Sequence, residues 1–415
     1  MTEIRRRQLL AGGATLLAPL PATLAPRPAR AQAAAPIRIG VLADFSGPYR
    51  DTSGPTALAC ARQAVEDLGL AERGIRVEVL QGDHQNKPDV ALALARRWID
   101  QDGVDMITEV NNSAIAFAVA GLVQEKDRVQ MNSGALSAAL TGERCSPNTI
   151  HWTADTWMLA NAVGKATVRN GGDSWYFIVA DYAFGHQMER DLGRFVESAG
   201  GKVMGSARFP FPGTTDFASY LVQAQSSRAK VIGLLMAGTD MVNCIKQARE
   251  FGVARRGVKL AGTPMFVTDI HALGLETAQG LLLSEAYYWD LNDRTRAFNT
   301  RIRPKTASNW PNQEQAGTYA ACLHYLKAVA EMGVPAARAS GRAVVERMKA
   351  MPTDDDCFGA GQVRADGRKI HPSYLFEVKA PQDSRGPWDY YRLSGTVAAE
   401  EAFRPLAEGN CPMLR

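Results

Sequence analysis

The sequence predicts an α/β protein made of two similar doubly wound parallel-sheet lobes, on three observations. From residue 37 onward, short β-branched runs alternate with longer amphipathic stretches, which is how strands joined by crossover helices read. The alternation breaks at an irregular stretch, residues 135–151, and then restarts with the same grammar. A chain of 415 residues, 46% hydrophobic and 22% charged, suffices for two ordinary cores.

In the first lobe the spacing predicts strands over 37–42, 76–80, 104–108 and 128–132, with helices over 56–68, 89–101 and 113–126 between them. Alanines with Leu58, Val65 and Leu68 at helical spacing give the first helix a sheet-facing stripe. The second lobe repeats the pattern with helices over 156–169, 185–198, 217–226 and 240–251 and strands over 175–179, 202–205, 230–235 and 258–261. Beyond the run Gly280-Leu281-Leu282-Leu283 the text changes to Tyr287-Tyr288-Trp289 and helical segments over 293–300 and 312–332, read as the chain crossing back to the first lobe. A helix over 343–351 and strands over 362–364 and 374–378 close the chain. The expected division is residues 36–153 with 287–353 in lobe 1, and 154–286 with 354–415 in lobe 2.

The first 33 residues read as a cleavable export signal. Arg5-Arg6-Arg7 leads into a short apolar, glycine-containing run and then small residues, with Ala29-Arg30-Ala31 and Ala31-Gln32-Ala33 as cleavage sites. Arg6-Arg7-Gln8-Leu9-Leu10 has the twin-arginine form. Five leader arginines against Glu3 account for the whole formal charge of +4. The remainder is near neutral, and no basic cluster interleaved with aromatics suggests nucleic acid. No second run reaches the about 20 apolar residues of a membrane span. The mature chain is expected free in the periplasm.

The six histidines are dispersed, with no helical zinc spacing, and no cysteine pair has a Cys-x-x-Cys form. No metal and no cofactor is expected. Cys60, Cys244 and Cys322 fall on helices and read as packed. Cys357 and Cys411 both lie in loop-like C-terminal text, and in an oxidising compartment they are expected to pair; Cys145 has no assignment.

In parallel sheets ligands bind beyond the carboxyl ends of the strands. In the first lobe those positions hold Asp44, Ser46, Tyr49 and Arg50; Asp83, His84 and Gln85; Glu109, Asn111, Asn112 and Ser113; and Ser133, Gly134, Ala135 and Ser137. In the second they hold Asp181, Tyr182 and Phe184; Ala237, Gly238, Thr239 and Asp240; and Phe266 and Thr268. Hydroxyls, amides, bare backbone and rings suit a pocket for an oxygenated small molecule. None of these residues forms an evident nucleophile and base pair, so an enzyme is not expected. Ser113, opening a helix, can present a hydroxyl and free N–H groups to a carboxylate, a role compatible with plain helix capping.

The segments Gly40 to Tyr49, Asp83-His84-Gln85-Asn86-Lys87-Pro88, Asn132-Ser133-Gly134-Ala135, Ala183-Phe184-Gly185 and Gln247 to Gly252 together resemble the leucine/isoleucine/valine-binding-protein family, over essentially all of the chain after the signal. The resemblance implies a type I periplasmic binding protein of an ATP-driven importer, with two lobes, three hinge crossovers, ligand in the cleft, permease subunits as partners and a monomeric state. By position it implies that Ser113, with Asn112 and Ser133 beside it, holds a ligand carboxylate, and that Ala135, Leu136 and Ser137 add backbone and hydroxyl bonds. Tyr49, Phe184 and the Ala237 to Asp240 turn, which includes Thr239 and Asp240, match other cleft positions; Phe266, Tyr287 and Trp289 offer an apolar wall where they face the cleft, Tyr287-Tyr288-Trp289 reading equally as core beside the hinge. Amino-acid-binding relatives carry a glutamate after the strand near residue 261; here the text is Gly262-Thr263-Pro264-Met265-Phe266. Without it an ammonium has no expected partner unless Asp240, Asp269 or Glu109 substitutes, so an aromatic or branched aliphatic acid is expected to fit better than an amino acid. A sensor of the same fold that signals to a partner is the alternative.

Overall fold

The computed structural model describes residues 35–253 and 257–414; the expected export signal lies outside them. The first lobe begins with β1 (Ile37–Ala43), α1 (Gly54–Leu68), β2 (Val77–Asp83), α2 (Pro88–Asp100), β3 (Met106–Glu109), α3 (Ser113–Glu125), β4 (Val129–Asn132) and β5 (Thr149–His151). Its strands form a parallel sheet in the order β2-β1-β3-β4-β5. The second lobe follows with α4 (Thr156–Arg169), β6 (Ser174–Ala180), α5 (Ala183–Ser198), β7 (Lys202–Phe209), α6 (Ala218–Ser226), β8 (Val231–Leu235), α7 (Gly238–Glu250) and β9 (Lys259–Gly262). Its parallel sheet runs β7-β6-β8-β9.

Burial follows position in the sheet. The central strands β1 and β8 are buried along nearly their whole length, as strands covered by helices on both faces must be. The edge strand β7 alternates exposed and half-buried residues up to Phe209.

The chain then runs through the short helices α8 (Val267–Leu273) and α9 (Leu275–Ala278) into β10 (Leu282–Glu285), and crosses back with α10 (Asp293–Ile302) and α11 (Gln313–Met332). α11 packs on α1, β3 and β4 and is buried on every side from Gln313 to Leu326. That central position places its first turn at the cleft. α12 (Val334–Ala339) and α13 (Gly341–Ala350) lead to a small ladder, β11 (Gln362–Val363) with β12 (Lys369–Ile370), beside which Arg368 bridges His151 of β5. β13 (Ser373–Val378) and β14 (Tyr391–Val397) join β10 in an antiparallel sheet, and α14 (Ala399–Ala402) follows.

The expected disulfide is corrected. Cys411 is bonded to Cys145, in the segment between β4 and β5, while Cys357 is a free, buried thiol. After α14 the tail folds back over residues 138–142, where the Arg404 guanidinium donates to the Ala138 carbonyl at 2.9 Å. This brings Cys411 to Cys145, whereas Cys357 is packed in the apolar core with Tyr287 and Phe358. Shared loop character placed Cys357 and Cys411 together in the sequence; chain reversal separates them in space.

Candidate functional site

Both sheets reverse direction at one place. The chain leaves β1 for β2 on one side and reaches β3 on the other, and it leaves β6 for β7 on one side and β8 on the other. The loops at these carboxyl ends splay apart and leave a crevice. Here the crevices of the two lobes face each other across a small, nearly closed cavity lined by Tyr49, Thr52, Asn111, Ser113, Gly134, Ala135, Leu136, Tyr182, Phe184, Ala237, Phe266 and Glu314.

On the first-lobe side the loop after β1 is wound around Asp44. Its buried carboxylate accepts from the backbone N–H groups of Ser46 (3.3 Å), Gly47 (2.6 Å) and Tyr49 (2.9 Å) and from the Asn86 amide. Asn111 accepts from the Asp44 N–H and from His84 Nε2 at 2.8 Å. Asn112 caps α3 by accepting from the N–H groups of Ala114 (3.0 Å) and Ile115 (3.2 Å), and it donates to Asn86 at 3.1 Å. Ser113 is therefore not the cap. It follows the cap with its hydroxyl on the cavity, where Oγ accepts from the Ser137 N–H at 3.3 Å. Gly134 lies so close that a Cβ there would stand 2.6 Å from Asn111 Cβ, so a side chain would push the 134–136 backbone off the cavity wall.

The second-lobe side contributes rings and one tight turn. Phe211 stacks on Tyr182 (4.5 Å between centroids) and on Tyr49 (5.3 Å), and the Tyr49 and Tyr182 hydroxyls are 2.8 Å apart. The Thr239 N–H donates to the Pro48 carbonyl at 3.1 Å, directly across the cleft. Gly238 permits this approach: its φ is +59°, and a Cβ there would fall 2.4 Å from the Pro48 oxygen. The lobes are thus shut on each other.

Buried acids cluster around the cavity. Glu109, at φ +75° at the end of β3, accepts from Ser133 Oγ (2.7 Å) and Thr318 Oγ1 (2.5 Å), and burial holds its carboxyl above the usual range. Burial pushes Asp240 up to about 7 and Asp269 to about 7, the latter opposed by a bond from the Phe266 N–H and raised further by Asp51. Burial also pushes Glu285 up to about 8, although Tyr391 and the backbone N–H groups of Gln313 and Val267 bond to it. Glu314, lining the cavity, is raised well above the carboxylate range by burial and by Glu109, Asp269 and Glu285.

Of the expected site residues, Tyr49, Ser113, Ala135, Leu136, Phe184 and Phe266 meet at the cavity. Asn112, Ser133 and Ser137 stand one step behind it: Ser133 bonds to Glu109, and Ser137 caps the turn after β4. Thr239 belongs to the cleft mouth, beside Arg50, Asp51 and Lys246. Asp240 is buried in α7 outside the lining, and Tyr287 is packed against Phe298 and Phe358 in the core. Trp289 likewise turns away, donating to the Trp388 carbonyl. Asn111, Gly134, Tyr182 and Ala237 are strand-following residues recognisable by that rule. Thr52 lies in the same loop after β1 as Tyr49 and is missed by the sequence reading; Glu314 carries no such signal, because it follows no strand but stands at the start of α11, which comes long after β3 in the chain.

Two doubly wound lobes shut on a small buried cavity make a receptor that closes on a solute. Residues 36–386 match the periplasmic binding protein family, and the chain belongs to that family. It is similar to a periplasmic binding protein from Burkholderia mallei, 41% identical over 92% of this chain and 99% of that one, with a TM-score of 0.87. It is also similar to a branched chain amino acid ABC transporter periplasmic ligand-binding protein from Burkholderia xenovorans, 36% identical over 91% of this chain and 100% of that one, with a TM-score of 0.79. The same fold appears in a solute binding protein of an ABC transporter from R. palustris in complex with 4-hydroxybenzoate, 21% identical over 89% and 99% of the two chains, TM-score 0.80. No curated protein matches the sequence significantly. As a member of that family the chain is a solute-binding protein and not an enzyme. Among the described residues, no helix is long and apolar enough to cross a membrane.

Proposed function

We propose that the protein closes on a small carboxylate-bearing solute with an aromatic or branched aliphatic body and presents the closed form to its permease. The observation that carries this reading is the cavity itself, with the Ser113 hydroxyl at the start of α3 and the backbone of 134–136 on one side and the rings of Tyr49, Tyr182, Phe184 and Phe266 around it. A carboxylate at a helix start gains from N–H donors and from the positive end of the helix dipole. Rings provide the apolar wall. The solute enters the first lobe, whose loops are already held by Asp44 and Asn111, and the second lobe swings in about crossovers at 152–155, 286–292 and 351–361. The relatives from B. xenovorans and R. palustris, named for branched-chain amino acids and for a hydroxybenzoate complex, both fall within this solute class.

The test is calorimetric titration of ligand-stripped protein with aliphatic and aromatic acids and amino acids. For the solute that binds, Ser113→Ala should weaken affinity by about 1.5–3 kcal/mol if its hydroxyl meets a charged group. Undiminished affinity in that variant would remove Ser113 from the reading.

A further inference from the structure

The parallel sheet of the second lobe stops at β9. Along a parallel ladder successive residues turn their N–H and C=O groups to opposite neighbours. The Lys259 N–H bonds to the Lys230 carbonyl at 2.9 Å and the Thr263 N–H to the Leu234 carbonyl at 3.0 Å, both on the β8 side, so Leu260 turns its own groups outward. Among the described residues no strand pairs with that edge. β10, next in the chain, pairs antiparallel with β13 instead. The sheet is thus split between β9 and β10.

The split holds a cavity of about 670 Å³, within the range of about 300–1,000 Å³ of small-molecule sites. Its wall is apolar, with Val163 from α4, Ile245 and Ala248 from α7, Leu260 from β9, and Leu281 and Leu282 at β10. Water filling such a space finds few polar partners, and an apolar body that displaces it is favoured. This slot lies at the amino end of β9, whereas the ligand cleft lies beyond the carboxyl ends of β6 and β8, and the two share no lining residue.

The rim of the slot is charged. Arg249, in the last turn of α7, and Lys259, at the start of β9, are both exposed. Neither meets an acid among the described residues: Arg249 donates to Thr277 Oγ1 at 2.7 Å and Lys259 to the Asn170 carbonyl at 3.2 Å. Glu276 is the one acid among the lining residues, which leaves the rim net positive.

We propose that this slot is a second binding site, for an amphipathic carboxylate whose unbranched apolar tail lies in the split between β9 and β10 and whose head meets Arg249 and Lys259. The tail covers a wall that water wets poorly, and the head answers two cations that have no acid of their own. Because the tail enters a cavity inside the lobe, the ligand is a free amphiphile and not a lipid held in a bilayer.

The experiment titrates the ligand-stripped protein by calorimetry with decanoate, 1-decanol and decyltrimethylammonium, which share a tail and differ in head, each below its micelle concentration. Wild type is compared with Leu281→Trp, which fills the slot, with the double variant Arg249→Glu and Lys259→Glu, which reverses the rim, and with Ser113→Ala, which alters the cleft. Decanoate is expected to bind wild type at least about 10-fold more tightly than decanol, and decyltrimethylammonium most weakly. Reversing the rim should invert that order, and Leu281→Trp should weaken decanoate at least about 10-fold, whereas Ser113→Ala should leave decanoate binding as it is. The two rim residues are exposed, so the double variant should melt close to wild type, and its altered preference then reports on the ligand and not on the fold.

Equal binding of all three heads overturns the assignment of an anion. Decanoate binding that is lost in Ser113→Ala and kept in both slot variants overturns the site, because it places the amphiphile in the cleft. Binding to phosphatidylglycerol vesicles with no response to decanoate overturns the enclosed, free ligand. Absence of decanoate binding to folded wild type overturns the proposal as a whole and leaves the reading of the cleft standing.

Discussion

The two faces of the cleft solve the same problem with opposite means. The first-lobe face is a polar network in which Asp44, Asn86, Asn111 and Asn112 bond to one another before any ligand arrives, with the Asn111 amide nitrogen left over. On its outer rim, although burial opposes it, Asp83 is held below its usual range by bonds from Ser46 and the N–H groups of Gln85 and Phe45, while the deeper Glu109 is raised by burial. The second-lobe face is rings and bare backbone, and its acids Asp240, Asp269 and Glu285 are raised by burial. The difference assigns roles: a surface bonded mainly to itself is a preformed platform, and a surface whose contacts run across the cleft is the part that closes.

Substitutions should separate the two faces by what they damage. The largest effect is expected for Asp44→Ala, which strips four donors of their shared acceptor. It should cost about 3–5 kcal/mol of stability, read by denaturant unfolding, less than four separate charged hydrogen bonds because bonds in one network do not add and the freed N–H groups reach water. Loss confined to affinity, with stability intact, would mean that the first face is not a preformed platform. Gly238→Val should do the reverse. With its Cβ aimed at the Pro48 oxygen, the variant should stay folded yet bind ligand about 100-fold more weakly, because the closed form is removed from the equilibrium. Unchanged affinity there would show that closure does not need the Pro48 to Thr239 contact.

Acidity offers a third handle. Carboxyls whose folded pKa lies above the unfolded value, about 4, bind protons more tightly in the folded state. Their contribution is complete below about pH 4 and is lost as pH rises towards about 7 for Asp240 and Asp269 and about 8 for Glu285. Each group should therefore lower unfolding free energy by up to about 1.4 kcal/mol per pH unit across its window, and Glu285→Gln should flatten the profile between about pH 5 and 8. A profile that rises across that range in wild type and is unaltered in the variant would contradict the burial argument. The smallest effect is expected for Tyr182→Phe, which removes one hydroxyl contact across the cleft. Affinity should fall by about 1 kcal/mol, roughly fivefold, without a change in melting temperature.

Much of this architecture is legible in the chain. The strands, their helices and the restart after residue 151 follow from periodicity alone, and the rule that sites lie after strands reaches Tyr49, Ser113, Ala135 and Phe184 at the cavity. That rule cannot tell which of several adjacent polar residues meets the ligand. Asn112 and Ser133 have the right chemistry and address but are consumed by their neighbours, as cap and as partner of Glu109. Tyr287 has the composition of a binding ring, yet the packing of Phe298 and Phe358 makes it core.

The sequence by itself determined the doubly wound lobes, because hydrophobic period and strand length are local properties that each segment carries within itself. Tertiary structure decided which distant segments share a surface. Cys411 reaches Cys145 rather than Cys357 because the tail reverses over residues 138–142. Glu314 reaches the Ser113 cavity because α11 is threaded against β3 and β4. Such meetings depend on where whole elements pack, and side-chain burial, charge balance and ligand preference are settled only there.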